Sequence, residues 1–91
     1  TIKNANAKQQ VHVLNNPFKN NIIVRFERVP LGKVILLLTD LSGKKIKVNE
    51  LPSVNSQLYQ WDLGQLPVSR GIYILTAEVD RRKYSIQLLK Q

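Results

Sequence analysis

The sequence predicts an all-β sandwich, and three observations carry that prediction. Apolar residues recur at every second position through most of the chain, as they do where one face of a strand is buried and the other is wet. Seven such runs are separated by short clusters of Asn, Asp, Pro, Gly and Ser, the residues that turn a chain. No window places apolar residues at helical spacing, and Val, Ile, Thr, Tyr and Phe stand where strands favour them.

Taken in order, Thr1–Gln10 is polar and patternless, and is expected to be a linker ahead of a folded domain over 11–91. The first run, Val11–Leu14, alternates Val11 and Val13 against His12 and stops at Asn15-Asn16-Pro17, where proline removes a ladder donor. The second, Asn21–Arg28, sets Ile22, Val24 and Phe26 on one face and Ile23, Arg25 and Glu27 on the other; Pro30-Leu31-Gly32 breaks it. The third, Lys33–Asp40, is more apolar and reads as a central strand covered on much of both faces. Asp40 then caps a tight turn in which Gly43 supplies a positive φ.

The fourth run, Lys44–Asn49, points Ile46 and Val48 inward and Lys45 and Lys47 outward, which suits an edge strand protected by lysines. Pro52–Ser56 is a loop, and the fifth run, Gln57–Leu63, carries Leu58, Tyr59 and Trp61. A connector over Gly64–Gly71 leads to the sixth run, Ile72–Val79; Asp80-Arg81-Arg82 turns it into the seventh, Lys83–Lys90. One sheet would leave a face of most strands uncovered. The expectation is therefore a seven-stranded antiparallel immunoglobulin-like β-sandwich, without the Cys…Trp…Cys pattern of antibody domains.

Composition narrows the function. A chain of 91 residues builds one core, and with no cysteine it has neither a disulfide nor a thiolate site. Its longest apolar run, Val34–Leu38, falls far short of the ~20 residues that span a bilayer. Thr1–Gln10 has no apolar stretch of a signal peptide, and the absence of an initiator Met points to a fragment of a longer chain. The net charge of +8 favours nucleic acid, anionic lipid or an acidic protein surface. The basic residues are scattered, however, and the two clusters, Lys44-Lys45-x-Lys47 and Arg81-Arg82-Lys83, read as turn flanks, so no nucleic-acid partner is expected.

No chemistry emerges. His12 is the single histidine and falls on the outer face of the first strand, and the acids Glu27, Asp40, Glu50, Asp62, Glu78 and Asp80 have no catalytic or Ca²⁺-loop spacing. With four glycines there is no phosphate-cradling loop. The expectation is a non-enzyme with no cofactor, metal or catalytic residue. Trp61, Tyr59, Tyr73, Tyr84, Phe18 and Phe26 read first as core fillers. As an exposed platform they would instead make a carbohydrate-binding or fibronectin-III-like accessory module of a secreted enzyme. A single-stranded nucleic-acid binder would interleave aromatic and basic residues, and only Tyr84 beside Lys83 does so.

The order of the turn signals is more informative than any one of them. Asn16-Pro17-Phe18 precedes the second strand, and Asp40-Leu41-Ser42-Gly43-Lys44 forms the central hairpin. Leu66-Pro67-x-x-x-Gly71-Ile72-Tyr73 opens the sixth strand, and a basic strand ending in Leu88-Leu89-Lys90-Gln91 closes the sequence. This order resembles the C-terminal sorting domain of cargo exported by the type IX secretion system of Bacteroidetes, over about residues 11 to 91.

The resemblance implies an address label that passes through the periplasm and reaches the cell surface or the medium. It implies as partners an outer-membrane translocon, its shuttle protein and a sortase-like peptidase that cuts the linker, around Ala5, Asn6, Ala7 and Lys8. It places recognition on the terminal strand, at Lys83, Leu88, Leu89, Lys90 and Gln91, and Ile86 and Leu88 also suit core packing. The strand edge there would accept a receptor strand. Asn16, Pro17, Asp40, Gly43, Gly71 and Tyr73 match the family motif and are expected to be structural.

Overall fold

The computed structural model describes residues 9–64 and 69–91, and their regular structure is all strand. The strands are β1 (Val11–Val13), β2 (Asn21–Phe26), β3 (Val34–Asp40), β4 (Lys45–Leu51), β5 (Leu58–Asp62), β6 (Gly71–Val79) and β7 (Arg82–Lys90). Each coincides with one of the seven alternating runs. Beyond Phe26 the Glu27 N–H still donates to the carbonyl of Gln10, opposite it in the β1 register, and the backbone then turns to side chains: Arg28 N–H donates to Gln9 Oε1 and the Glu27 carbonyl accepts from Gln57 Nε2.

Two antiparallel sheets result, one ordered β1-β2-β5 and the other β4-β3-β6-β7. Their inner faces meet through Ile22, Val24, Phe26 and Trp61 on one side and Val34, Leu36, Leu38, Leu75, Ala77, Val79 and Leu88 on the other. This is the immunoglobulin-like sandwich expected. Each fully buried aliphatic side chain contributes roughly 1.5–3 kcal/mol relative to exposure, so a thin core suffices without a disulfide. Trp61, at 2% exposure, is a core residue and offers no flat surface to a sugar.

One expectation needs correction. In β4, Ile46 packs on the core as expected, but Val48 is 56% exposed. The register with β3 slips between Leu38 and Thr39, so that Leu38 pairs with Lys47 and Thr39 with Lys45. That bulge inserts a residue and exchanges the faces beyond it. Lys47, expected outward, instead reaches the other sheet and donates from Nζ to the Leu63 carbonyl at 3.3 Å, and Asn49 Nδ2 donates to the Tyr59 hydroxyl at 3.0 Å. β4 is nonetheless an edge strand, as its lysines suggested. β3 is the central strand expected: it lies between β4 and β6, its inner face is fully buried and its outer-face residues Ile35 and Leu37 are partly covered.

Gln9, counted in the linker on sequence grounds, is 5% exposed and holds Arg28 from both ends of its amide: Nε2 donates to the Arg28 carbonyl and Oε1 accepts from the Arg28 N–H. The folded part therefore takes in Gln9 and Gln10. Ala5, Asn6, Ala7 and Lys8 lie outside the described residues, as do Leu66 and Pro67.

Candidate functional site

The turn between β1 and β2 begins with Asn15, whose side chain organises it. Asn15 Oδ1 accepts the Ile23 N–H at 2.8 Å, and Nδ2 donates to the carbonyl and the Oδ1 of Asn21. With the loop closed on itself, Asn16, Pro17 and Phe18 are carried across the open side of the sandwich to β7. Asn16 Oδ1 accepts the Leu89 N–H at 2.9 Å, and its Nδ2 donates to the Gln87 carbonyl at 3.2 Å. Phe18 N–H donates to the Leu89 carbonyl and its own carbonyl accepts the Gln91 N–H, both at 2.9 Å, which makes a parallel bridge between Phe18 and Lys90. An asparagine is suited to this task because its amide presents a donor and an acceptor side by side, matching the N–H and C=O of a strand edge.

This latch changes the reading of the terminal strand. The edge that was expected to accept a receptor strand is already occupied from Gln87 to Gln91 by Asn16 and Phe18. What the last residues present is therefore their side chains. Leu88 points into the core at 1% exposure and Ile86 packs half-buried against it, in keeping with their packing roles. Leu89 is 45% exposed and Gln91 is exposed, whereas Lys90 is partly covered and its Nζ donates to the Gln91 carbonyl.

The sheet register gathers the motif residues at the same end of the molecule. Gly71 stands opposite Lys90, Tyr73 opposite Leu88, and Asp40 opposite Tyr73 on its other side. Gly71 has a φ of 150°, outside the range that a side chain readily accepts, and this opens β6 beside the end of β7. Tyr73 donates from its hydroxyl to the Ser69 carbonyl at 2.7 Å and meets the Phe18 ring edge-on, with centroids 6.5 Å apart. Phe18, at 1% exposure, thus anchors the latch from beneath.

Asp40 caps the β3–β4 turn as expected: Oδ1 accepts from the Ser42 hydroxyl, the Ser42 N–H and the Lys44 N–H, and Gly43 follows with a φ of 91°. The Ser42 hydroxyl bond, followed by the Lys44 and Ser42 amides and the Lys44 charge, holds its carboxyl below the usual carboxylate range. Lys83 is not part of this assembly. It lies seven residues from Lys90 along β7, opposite Glu78, and so roughly 23 Å away at ~3.3 Å per strand residue.

Two cations that the sequence scatters are brought here by the fold. Lys19 follows the latch and Arg70 precedes Gly71. Together with Lys90 they line an open cleft of about 790 Å³ completed by Gly71, Leu89 and Gln91. Among the described residues no acidic side chain lines it. Their adjacency to motif positions was the one signal available; their convergence was not readable. His12, by contrast, is partly exposed on an edge strand, with its ring 3.2 Å from Glu27, which Arg25 also approaches.

Residues 12–91 match the family model of the secretion system C-terminal sorting domain, which spans both the latch and the strand it holds. The chain belongs to that family. No curated protein matches the chain. As a type IX sorting domain it belongs to a family of addresses rather than catalysts, associated with Bacteroidetes and the outer membrane. Membership implies export toward the cell surface or the extracellular space and interaction with the type IX machinery. No helix among the described residues is long and apolar enough to cross a membrane.

Proposed function

We propose that this domain carries an attached cargo through the periplasm and across the outer membrane, and that the translocon and its shuttle protein recognise it at the latched end of β7. The observation that carries the reading is the hold of Asn16 and Phe18 on Leu89 and Gln91, which keeps the last side chains in one geometry. Leu89, Lys90 and Gln91 contact the machinery directly; Leu88 supports them from the core, and Lys83 contributes charge from the far end. Asn16, Pro17, Asp40, Gly43, Gly71 and Tyr73 shape this end rather than touch a partner.

Removal by a sortase-like peptidase falls within Ala5–Lys8. A peptidase needs backbone outside a ladder, and Gln9, the first described residue, already has a buried, hydrogen-bonded side chain, which favours a cut ahead of it. The test is a fluorescent reporter joined ahead of residues 1–91 in a bacterium with this secretion system, compared with the same fusion lacking Leu89–Gln91. Reporter at the surface or in the medium only with the intact domain is the expected result. Equal export without Leu89–Gln91 overturns terminal-strand recognition, and retention of the intact fusion in the periplasm overturns the sorting function itself.

A further inference from the structure

The outer face of the β4-β3-β6-β7 sheet is mixed, and it carries a group of apolar side chains near the latched end of β7. Ile72 of β6 is 38% exposed and pairs across the ladder with Leu89 of β7, itself 45% exposed. Ile74 lies two residues further on the same face and is half-buried beside them. These three side chains form a continuous strip that runs into the Lys19–Arg70–Lys90 cleft, and Leu89 belongs to both.

Along the strip the apolar side chains follow the sheet and three cations gather at the end where β7 is latched, while Lys45 stands on the same face across Thr39 from Ile74. The cations come from three separate places in the chain, the β1–β2 turn, the connector before β6 and the end of β7; no acidic side chain is among the described lining residues, and Lys90 Nζ meets the Gln91 main-chain oxygen. A face with one apolar stretch and one cationic end complements a segment with apolar side chains followed by carboxylates. A bilayer surface would call instead for cations ringing the apolar residues, so that both enter the headgroup region together.

We propose that Ile72, Ile74 and Leu89 with Lys19, Arg70 and Lys90 form a docking surface for a protein segment in which apolar residues are followed by Asp or Glu. The inference rests on the sorting reading and deepens it: the segment belongs to the export machinery, and its recognition extends from the terminal strand onto β6 and the β1–β2 turn. Specificity comes from the pairing of the apolar strip with the cationic cleft, since either half alone is common on protein surfaces. The charged half sets encounter and register, the apolar half the lifetime of the complex.

Three variants test it: K19E/R70E reverses the cleft, I72T removes an exposed apolar group while keeping a strand-forming residue, and the two changes are also combined. All replaced side chains are on loops or on an outer face, so melting temperatures near that of the unaltered chain are expected. In the reporter assay, export is expected to fall at least tenfold for K19E/R70E and several-fold for I72T. In solution, a labelled twelve-residue probe peptide of Leu and Val followed by Asp and Glu is expected to bind residues 1–91 and to lose at least tenfold in affinity on K19E/R70E. A matching probe ending in Lys is expected to bind K19E/R70E in preference to the unaltered chain, a swap that misfolding cannot produce.

Unaltered domain exported and all three variants exported equally well overturns the docking surface while leaving the sorting function standing. Failure of the unaltered domain to be exported removes the sorting reading instead. Equal affinity for the acidic and basic probes also overturns the proposal. So does binding to phosphatidylglycerol vesicles that is lost in K19E/R70E when the acidic probe shows none, and the surface then belongs to a membrane.

Discussion

The two ends of β7 carry similar residues and are held in opposite ways. At its start, Arg82 and Lys83 follow a tight hairpin in which Asp80 and Arg81 take positive φ values of 51° and 68°, and along Arg82–Ile86 no segment pairs with the outer edge among the described residues. At its end, a loop more than seventy residues away in sequence saturates that edge through Asn16 and Phe18. A run of adjacent cations is a turn flank; cations from three places, set beside a latched strand, make a cleft. An unprotected strand edge invites non-specific pairing, so closing the edge at one end confines recognition there to side chains. The comparison predicts that substitutions at the latched end disturb both structure and export, whereas those at the hairpin end disturb neither strongly.

The largest effect expected is that of F18A. Phe18 is fully enclosed and touches Tyr73 edge-on, so truncation leaves a cavity under the latch and costs about 3–5 kcal/mol. Leu31, near the hairpin end, is 84% exposed, and L31A is expected to change stability by no more than about 0.5 kcal/mol. Denaturant unfolding of the two variants reads the contrast directly; equal midpoints would erase the difference between the ends.

Next comes N16A, which removes two hydrogen bonds from the outer edge of β7 and leaves the Leu89 N–H and the Gln87 carbonyl to water. The site is exposed, so the cost is roughly 1–2 kcal/mol, and it is local. Hydrogen exchange of the Leu89 and Gln91 amides is expected to speed up about tenfold, in line with that free energy. Tyr84, opposite Ala77 toward the other end of β7, is expected to keep its rate. A uniform rise along β7 would mean that Asn16 stabilises the whole sandwich rather than latching its end.

Much of this was legible in the sequence, and for identifiable reasons. Strands with one buried face announce themselves by period two, so β2 and β6 stand where Ile22-Val24-Phe26 and Tyr73-Leu75-Ala77 put them. Turn chemistry was equally local: the cap by Asp40 and the positive φ of Gly43 need no distant partner. What failed to show was non-local. The bulge between Leu38 and Thr39 follows from how β3 and β4 pair, and nothing in Ile46-Lys47-Val48 alone announces it. The latch joins Asn16 to Leu89, and the cleft joins Lys19 to Arg70 and Lys90, through a topology that alternation does not encode. The motif order pointed to the family because it records the positions that such a topology needs, without recording what they touch.

The smallest effect concerns pH and the turn beside the latched end. Asp40 has its carboxyl held low by the Ser42 hydroxyl and by two backbone amides that its charged form accepts. A carboxylate depressed in the folded state adds stability above its unfolded value, near pH 4, and that contribution is lost as pH falls through the lower folded value. D40N keeps an acceptor oxygen for the turn but cannot carry the charge, so its stability is expected to lack this acid-side decline. The two chains should therefore differ most at neutral pH and converge in acid. Asp80 at the hairpin end accepts, among the described residues, a single bond, from the Leu31 N–H at 2.9 Å. Following unfolding midpoints of D40N and the unaltered chain from pH 7 to pH 2 tests the assignment. A gap that stays constant over the whole range would show that Asp40 shapes the turn as a hydrogen-bond acceptor alone, with its charge contributing nothing to the end of the sandwich where recognition is proposed.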